Sequence, residues 1–134
     1  MKKKLRNQFG FSLVELMITI IIIGILAAAA IPIYKGQVNR AKAAEADAAL
    51  GTIRTSLRIY YAEHNTYPTA ADSAAVTSLS IGIGASDLDG TYFSTTDFTY
   101  HSNDGVSYEI YATGSGEQAG INRKLNNSGT LSDF

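Results

Sequence analysis

The sequence of 134 residues contains no cysteine and no tryptophan, and only two prolines. Without cysteine, neither a disulfide framework nor a thiolate metal site can form. The two histidines, His64 and His101, lie far apart in the sequence and do not form a ligand-spaced cluster. Charge is also missing over one long stretch, because no Asp, Glu, Lys or Arg occurs from Leu16 to Tyr34. These absences argue against catalysis and transition-metal binding, and the uncharged stretch points to a membrane.

The uncharged stretch is long enough to cross a bilayer as a helix. Its 19 residues rise about 1.5 Å each and would span roughly 28 Å, close to the thickness of the hydrocarbon core. Four basic residues lie between Lys2 and Arg6. Basic residues before a span keep its N-terminus on the cytoplasmic side. The sequence therefore predicts one membrane-inserted helix with a cytoplasmic N-terminus.

One carboxylate, Glu15, lies at the start of this stretch. A charged side chain is costly in hydrocarbon, so a partner of opposite charge is expected. No basic residue within the span can neutralise it. Two interpretations remain: a boundary acid that reaches the lipid headgroups, or an acid whose partner is created elsewhere. A free amino terminus made by cutting after Gly10 would be such a partner.

Small residues and a proline give the span its internal features. Gly24 and Ala28 lie four residues apart beside further alanines, a pattern that allows helices to approach closely. Pro32 lacks a backbone N–H and disfavours helix at Ile31. We therefore expect a kink or a locally opened turn between Ala28 and Pro32.

After Tyr34 the pattern predicts a second, amphipathic half of the same helix. One apolar stripe recurs at intervals of three and four residues: Ala46, Leu50, Ile53, Leu57 and Tyr60 or Tyr61. The charged residues mostly fall on the other faces: Lys35, Arg40, Lys42, Asp47, Arg54 and Arg58. Asn65 is a plausible C-terminal cap and Pro68 a terminator, so the helix should run from Phe11 to about Glu63.

Residues 65–134 predict a small antiparallel sheet of about four strands, giving an α+β fold. Thr69–Asp89 has weak periodicity and is interpreted as a loop, with a short helix at Ala70–Leu79 as the alternative. The strand candidates are Thr91–Phe93, Phe98–His101, Val106–Thr113, Ile121–Leu125 and Thr130–Phe134. Hairpin turns are predicted at Asn103–Gly105 and Asn126–Gly129, and a further turn at Gly114–Gly120. Leu50, Ile53 and Leu57 are expected to cover the apolar face of the sheet.

The predicted head is acidic. Beyond Asn65 only Arg123 and Lys124 oppose eight acids, which argues against a phosphate-binding surface, so no nucleic-acid site is expected. Asp87 and Asp89 resemble the start of a calcium loop, but the acid that completes such a loop is missing. No cofactor is expected, and these two residues are the weak calcium candidates.

The N-terminal residues resemble a known family. Gly10, Phe11, Leu13, Glu15 and Leu16, followed by an apolar helix with Gly24 and Pro32, are similar to the class III signal and N-terminal helix of type IV pilins and the related pseudopilins of type II secretion. The resemblance implies that a prepilin peptidase cuts after Gly10 and methylates the amino group of Phe11. It also implies that Glu15 neutralises the amino terminus of a neighbouring subunit and that the backbone from Gly24 to Pro32 extends on assembly.

Four segments follow from these observations: a leader at 1–10, a hydrophobic transmembrane and assembly helix at 11–34, its amphipathic half at 35–64, and a head at 65–134. The implied function is a structural pilus subunit rather than an enzyme. Its expected partners are further copies of the chain, the prepilin peptidase, the inner-membrane assembly machinery, and lipid before assembly. The precursor would cross the inner membrane once, and the mature subunit would lie in an extracellular filament.

Other functions are open at this point. A major pseudopilin of a type II secretion system would share most of these features, and many pilins have a disulfide that this chain lacks. An ordinary single-pass membrane protein with a binding head leaves Glu15 and the Gly10–Phe11 junction unexplained. A secreted enzyme with a conventional signal peptide fails, since no small-residue cleavage site follows a short apolar region.

Overall fold

The computed structural model describes residues 10–134, so the predicted leader lies outside it except for Gly10. The chain forms two compact units, whose described parts are residues 10–37 and 38–134. One helix, α1, is assigned from Leu13 to His64, close to the predicted bounds. The helix continues through Pro32 without interruption, so the predicted locally opened turn is wrong, while the alternative, a kink, stays a prediction.

Both ends of α1 have a local cause. At the start, the Ser12 hydroxyl accepts a hydrogen bond of 3.1 Å from the backbone N–H of Glu15, which satisfies one of the first free N–H groups of the helix. At the end, Asn65 adopts a left-handed conformation with φ of 57°, and its N–H donates to the Tyr61 carbonyl at 2.8 Å. Asparagine tolerates this conformation better than most residues. The predicted cap at Asn65 is confirmed.

The second unit contains one antiparallel sheet of five strands in sequence order. The strands are β1 at Ala70–Ala75, β2 at Phe98–Ser102, β3 at Glu109–Thr113, β4 at Asn122–Asn126 and β5 at Leu131–Asp133. Short 3-10 helices lie at Val76–Leu79, Thr95–Asp97 and Gly116–Gln118. The α+β class and both predicted hairpins are confirmed.

The strand prediction is wrong in three places, one of which is the start of β3, because Val106–Tyr108, expected in that strand, is irregular. Ala70–Ala75, expected as a loop or helix, is the edge strand β1, and its pairing with β2 is irregular between Ala70 and Ala74. Alanine, serine and aspartate have little intrinsic preference for strands, so this segment becomes a strand because it pairs with β2. Thr91–Phe93, expected as a strand, is an irregular segment.

The core lies between the second half of α1 and one face of the sheet. Ala46, Leu50, Ile53 and Leu57 are fully buried, together with Phe98, Tyr100, Ile110 and Ala112 of β2 and β3. The connection between β1 and β2 adds Val76, Leu79, Ile81, Ile83, Leu88 and Phe93 to this cluster, which also contains Tyr108 and Leu125. Burying an apolar side chain of this size stabilises a fold by about 1.5–3 kcal/mol. The stripe on α1 therefore organises the second unit.

Candidate functional site

In the first unit, the described residues present an apolar surface on all sides of the helix. Phe11 is 77% exposed, and every large apolar side chain from Leu13 to Ile33 is exposed as well. By length and composition this helix could cross a membrane. So large an apolar surface needs cover from lipid or protein.

The Gly10–Phe11 bond lies before the helix begins. Gly10 and Phe11 are both exposed and outside the helical assignment, which starts at Leu13. No heavy atom lies within 4 Å of the position where a Cβ on Gly10 would be. An exposed bond in irregular backbone is open to a peptidase, whereas a bond inside a helix is not.

Glu15 occupies the third position of α1. Its backbone N–H donates to Ser12, and the Thr19 hydroxyl donates to its carbonyl at 2.8 Å. The pattern Ser12-x-x-Glu15 is typical of helix N-termini, a local role that the sequence reasoning missed. An acid here also opposes the positive end of the helix dipole. Within residues 10–134 no ion pair involves the Glu15 carboxylate.

The small-residue patch is also uncovered within the described residues. Gly24, Ala28 and Pro32 are exposed, and a Cβ on Gly24 would meet nothing within 4 Å. A second helix could therefore approach the backbone closely at this level.

In the second unit, Glu45 of α1 holds the irregular segment Thr91–Phe93. Its carboxylate accepts hydrogen bonds from the backbone N–H groups of Thr91, Tyr92 and Phe93 at 3.1, 2.8 and 2.8 Å. Burial acts to raise the pKa of Glu45, but the three N–H donors prevail and the pKa is lowered. A Cβ on Gly90 would lie 2.4 Å from the Glu45 carboxylate, so glycine leaves room for this contact.

An ion-pair group joins α1 to the last two strands. Arg123 donates to both carboxylate oxygens of Asp47, at 2.7 and 2.8 Å, and to Asp133 at 2.5 Å. These two carboxylates raise the pKa of Arg123. A fork of this kind is stronger than a single contact. It ties the C-terminal strands to the helix in a chain that has no disulfide.

Lys42 is the residue that the sequence placed wrongly. Expected on a polar face, it is only 7% exposed. Its ammonium donates to the Glu117 carbonyl at 2.5 Å and lies 5.3 Å from the centre of the Tyr92 ring. Lys42 lies four residues before Ala46 and so continues the apolar stripe. That spacing could have predicted its burial. A lysine stem can line apolar surface while its charge finds an acceptor.

The two calcium candidates are used within the head. Asp87 accepts a hydrogen bond from the Gly84 N–H at 2.6 Å. Asp89 accepts bonds from the Thr95 N–H and hydroxyl at 2.7 and 2.9 Å, and these contacts lower the pKa of Asp89. Among residues 10–134, no three His, Asp or Glu side chains are grouped so that they could hold a metal ion.

Comparison with known proteins agrees with this arrangement. A family described as the prokaryotic N-terminal methylation motif matches residues 5–31. A second, described as "Type IV minor pilin ComP, DNA uptake sequence receptor", matches residues 32–130.

Several fimbrial proteins are similar over much of the chain. A fimbrial protein of Neisseria meningitidis is 39% identical over 85 residues, which are 63% of this chain and 46% of the relative. The type IV major pilin protein PilE1 of Neisseria gonorrhoeae is 40% identical over 85 residues, 63% of this chain and 48% of the relative. A fimbrial protein of Moraxella nonliquefaciens is 34% identical over 113 residues, 80% of this chain and 69% of the relative.

The fold and the N-terminal segment thus define a protein with a methylation-type N-terminus, a long helix and a small antiparallel head. The chain belongs to the type IV pilin family. Members of this family are structural proteins rather than enzymes, as predicted. The chain spans about half the length of the Neisseria relatives that it matches.

Proposed function

We propose that the chain is the precursor of a type IV pilus subunit that is cut after Gly10, N-methylated on Phe11 and polymerised through residues 11–34. The observation that carries this proposal is an exposed apolar helix preceded by an exposed Gly10–Phe11 bond. Before assembly, lipid covers the helix. In the filament, the helices of other copies replace lipid, and burial of apolar surface favours the exchange.

Glu15 gives the assembly its electrostatic specificity. When helices pack together, the carboxylate is withdrawn from water, and an unpaired buried charge is costly. Cutting after Gly10 creates an ammonium on Phe11, only four residues away. A Glu15 carboxylate paired with such an ammonium, in its own or an adjacent subunit, offsets much of that cost. Gly24 and Ala28 allow close approach of the helices, and Pro32 provides a point where the backbone can extend.

The proposal includes a location and a set of partners. The precursor crosses the inner membrane once with its N-terminus in the cytoplasm, as the basic residues before Gly10 favour. A prepilin peptidase and the inner-membrane assembly machinery act on it, and the mature subunit lies in an extracellular filament. The relatives named above are fimbrial proteins and a major pilin, which favours a pilus over a pseudopilin of type II secretion.

Two substitutions separate cleavage from assembly. Gly10→Val should leave the full-length precursor in the membrane, because the peptidase must seat the bond before Phe11 in a site that a branched side chain obstructs. Glu15→Gln should still be cut, but it should yield few filaments because the ammonium loses its counter-ion. Immunoblots and mass spectrometry of the subunit report cleavage, and electron microscopy of sheared filaments reports assembly.

Two matched variants control this experiment. Gly36→Ala should be cut normally, since a Cβ there meets nothing within 4 Å. Glu63→Gln, which removes an exposed carboxylate near the other end of α1, should be cut and assembled. Normal maturation of Gly10→Val would refute the cleavage site, and abundant filaments from Glu15→Gln would refute the charge pairing.

We also propose that the head folds without a cofactor, because Asp87 and Asp89 already accept hydrogen bonds from the head itself. Adding EDTA should leave its melting temperature unchanged. A clear drop that calcium restores would show that these carboxylates bind the ion instead.

DNA reception, which the second family's description names, is not part of the proposal. Of the two basic residues beyond Asn65, Arg123 is held by Asp47 and Asp133, and Lys124 contacts Glu109 at 3.3 Å. Phosphate binding needs cations that are available to the phosphate. The charge of the head therefore favours a structural subunit over a DNA receptor.

A further inference from the structure

Two hollows in the head share part of their lining. The first, of about 420 Å³, lies beside the β2–β3 turn, and the second, of about 350 Å³, lies over the middle of β2 and β3. Both volumes fall in the range of small-molecule sites, roughly 300–1,000 Å³. His101 and Glu109 line both hollows. They are cross-strand partners, so they project side by side from the same face.

The Glu109 carboxylate is held in one orientation. The Tyr111 hydroxyl donates to one of its oxygens, and Lys124 donates to the other at 3.3 Å. These contacts leave further lone pairs on both oxygens, because a carboxylate can accept about four hydrogen bonds. Glu109 is therefore a preorganised acceptor whose charge is partly compensated.

Other polar groups around the first hollow differ in availability. Asp104 is occupied by the N–H groups of Val106 and Ser107 and by the Ser107 hydroxyl. Within residues 10–134, by contrast, no hydrogen bond engages the His101 ring or the Asn103 side-chain amide. The hollow thus offers a ring nitrogen and an amide beside the Glu109 acceptor. Together they supply both donors and acceptors.

The second hollow adds an aromatic surface. Tyr111 and Phe134 line it and meet edge to face, with ring centroids 5.2 Å apart. Phe134 is 54% exposed. Three hydroxyl-bearing residues, Ser73, Thr99 and Thr113, line the same hollow. Aromatic faces pack against C–H groups, while the surrounding polar groups bind hydroxyls.

We propose that these two hollows form a binding site for a neutral carbohydrate. A sugar ring has apolar C–H faces and a rim of hydroxyls that both donate and accept, which matches an aromatic surface bordered by His101, Asn103 and Glu109. An anionic ligand is disfavoured, since Asp104 and Glu109 line the first hollow and no Lys or Arg lines either one. The site goes beyond filament assembly, because it lies wholly within the head.

Binding is tested on the full-length chain in phosphocholine micelles, which contain no sugar. The probes are fluorescently labelled neutral oligosaccharides ending in galactose, glucose or N-acetylglucosamine, each with a sialylated counterpart, and the readout is fluorescence anisotropy. At least one neutral probe should bind, and its sialylated form should bind roughly tenfold more weakly, a difference of about 1.4 kcal/mol. His101→Ala and Glu109→Gln should each weaken binding by roughly tenfold or more.

The control is Asp72→Asn, which also removes one carboxylate charge but lies outside both hollows and is exposed. It should bind like the unmodified chain. Asn103→Ala, in the exposed turn, keeps the test decisive if a sheet variant melts early. The proposal is overturned if no neutral probe binds at millimolar concentration, if the sialylated probes bind better, or if the variants bind as well as the control.

Discussion

Glu45 illustrates how one side chain can organise a segment that has no regular structure. Three consecutive backbone N–H groups, from Thr91 to Phe93, would otherwise lack partners within the sheet, and the carboxylate accepts from all three. Buried or half-buried N–H groups need such acceptors. The side chain therefore replaces the strand pairing that the sequence suggested for these residues.

Glu45→Ala should lower the free energy of unfolding of the head by about 1–3 kcal/mol, because three N–H groups lose a charged acceptor. Since the pKa of Glu45 is lowered in the folded state, its contribution is present above the usual carboxyl pKa and is lost as the pH falls through the folded value. The difference between the two proteins should therefore shrink in acid. Denaturation followed by tyrosine circular dichroism, at neutral and acidic pH, measures both effects.

The exposed carboxylate Glu63 provides the comparison for this experiment. Glu63→Ala removes an acid from the same helix, but Glu63 is exposed, so stability should change little. Equal losses from the two substitutions would mean that the contact with Thr91–Phe93 contributes nothing specific.

Single residues were predictable where their chemistry has a local meaning. Asn65 could be recognised because a left-handed cap depends on the residue type itself. The burial of Lys42 could not be read from its charge, because its acceptor is the Glu117 carbonyl, 75 residues away. The three N–H donors to Glu45 could not be predicted either, because they also lie far from it in the sequence. Long-range polar contacts leave no pattern in a single sequence.

At the scale of helices, strands and turns, the correct predictions came from hydrophobic periodicity and from residue types typical of turns. The stripe on α1, the stop at Asn65–Pro68 and the two hairpin turns each follow from spacing or from residue type within a short window. Strand β1 was missed because its alanines have no strand preference and its order comes from pairing with β2. Helices, strands and turns that are determined by their own residues were predictable. Those that form only by contact with a distant segment were not.

The two faces of α1 can be compared by a pair of truncations. Leu57→Ala should lower the free energy of unfolding by about 2–5 kcal/mol, because it leaves a cavity in the core. Ile59→Ala, two residues on, should cost far less, since Ile59 is 58% exposed. Thermal or urea denaturation of the full chain in detergent measures both. If the two variants lost similar amounts of stability, the side of α1 that carries Leu57 would not be the one that packs in the core.

At the scale of the whole molecule, charge is the dominant feature of the second unit. Residues 38–134 contain six Lys and Arg against eleven Asp and Glu. Several of these cations already have partners within the second unit, as Lys42, Arg123 and Lys124 show. Such a surface keeps the head soluble and repels polyanions.

Binding to a double-stranded DNA fragment should accordingly be weak and should depend little on salt, since few counterions are released. Fluorescence anisotropy of labelled DNA at low and physiological salt measures this. A variant carrying Asp72→Lys and Glu63→Lys, two exposed positions, should bind more tightly at low salt and lose that binding as salt rises. Tight, sequence-dependent binding of the unmodified chain at physiological salt would contradict the proposal that the chain is a structural subunit and not a DNA receptor.

The order of the strands has a consequence for how the head acquires its structure. Every strand pairs with its neighbour in the sequence, and α1 precedes them all. Low sequence separation between partners favours fast folding, because little loop entropy is lost before contacts form. A chain that is synthesised from its N-terminus contains α1 before the strands and can therefore add each strand as it is made. Each strand waits only for the next one in the sequence, and no oxidation step is needed, so little unpaired edge is exposed to neighbouring chains while the head folds.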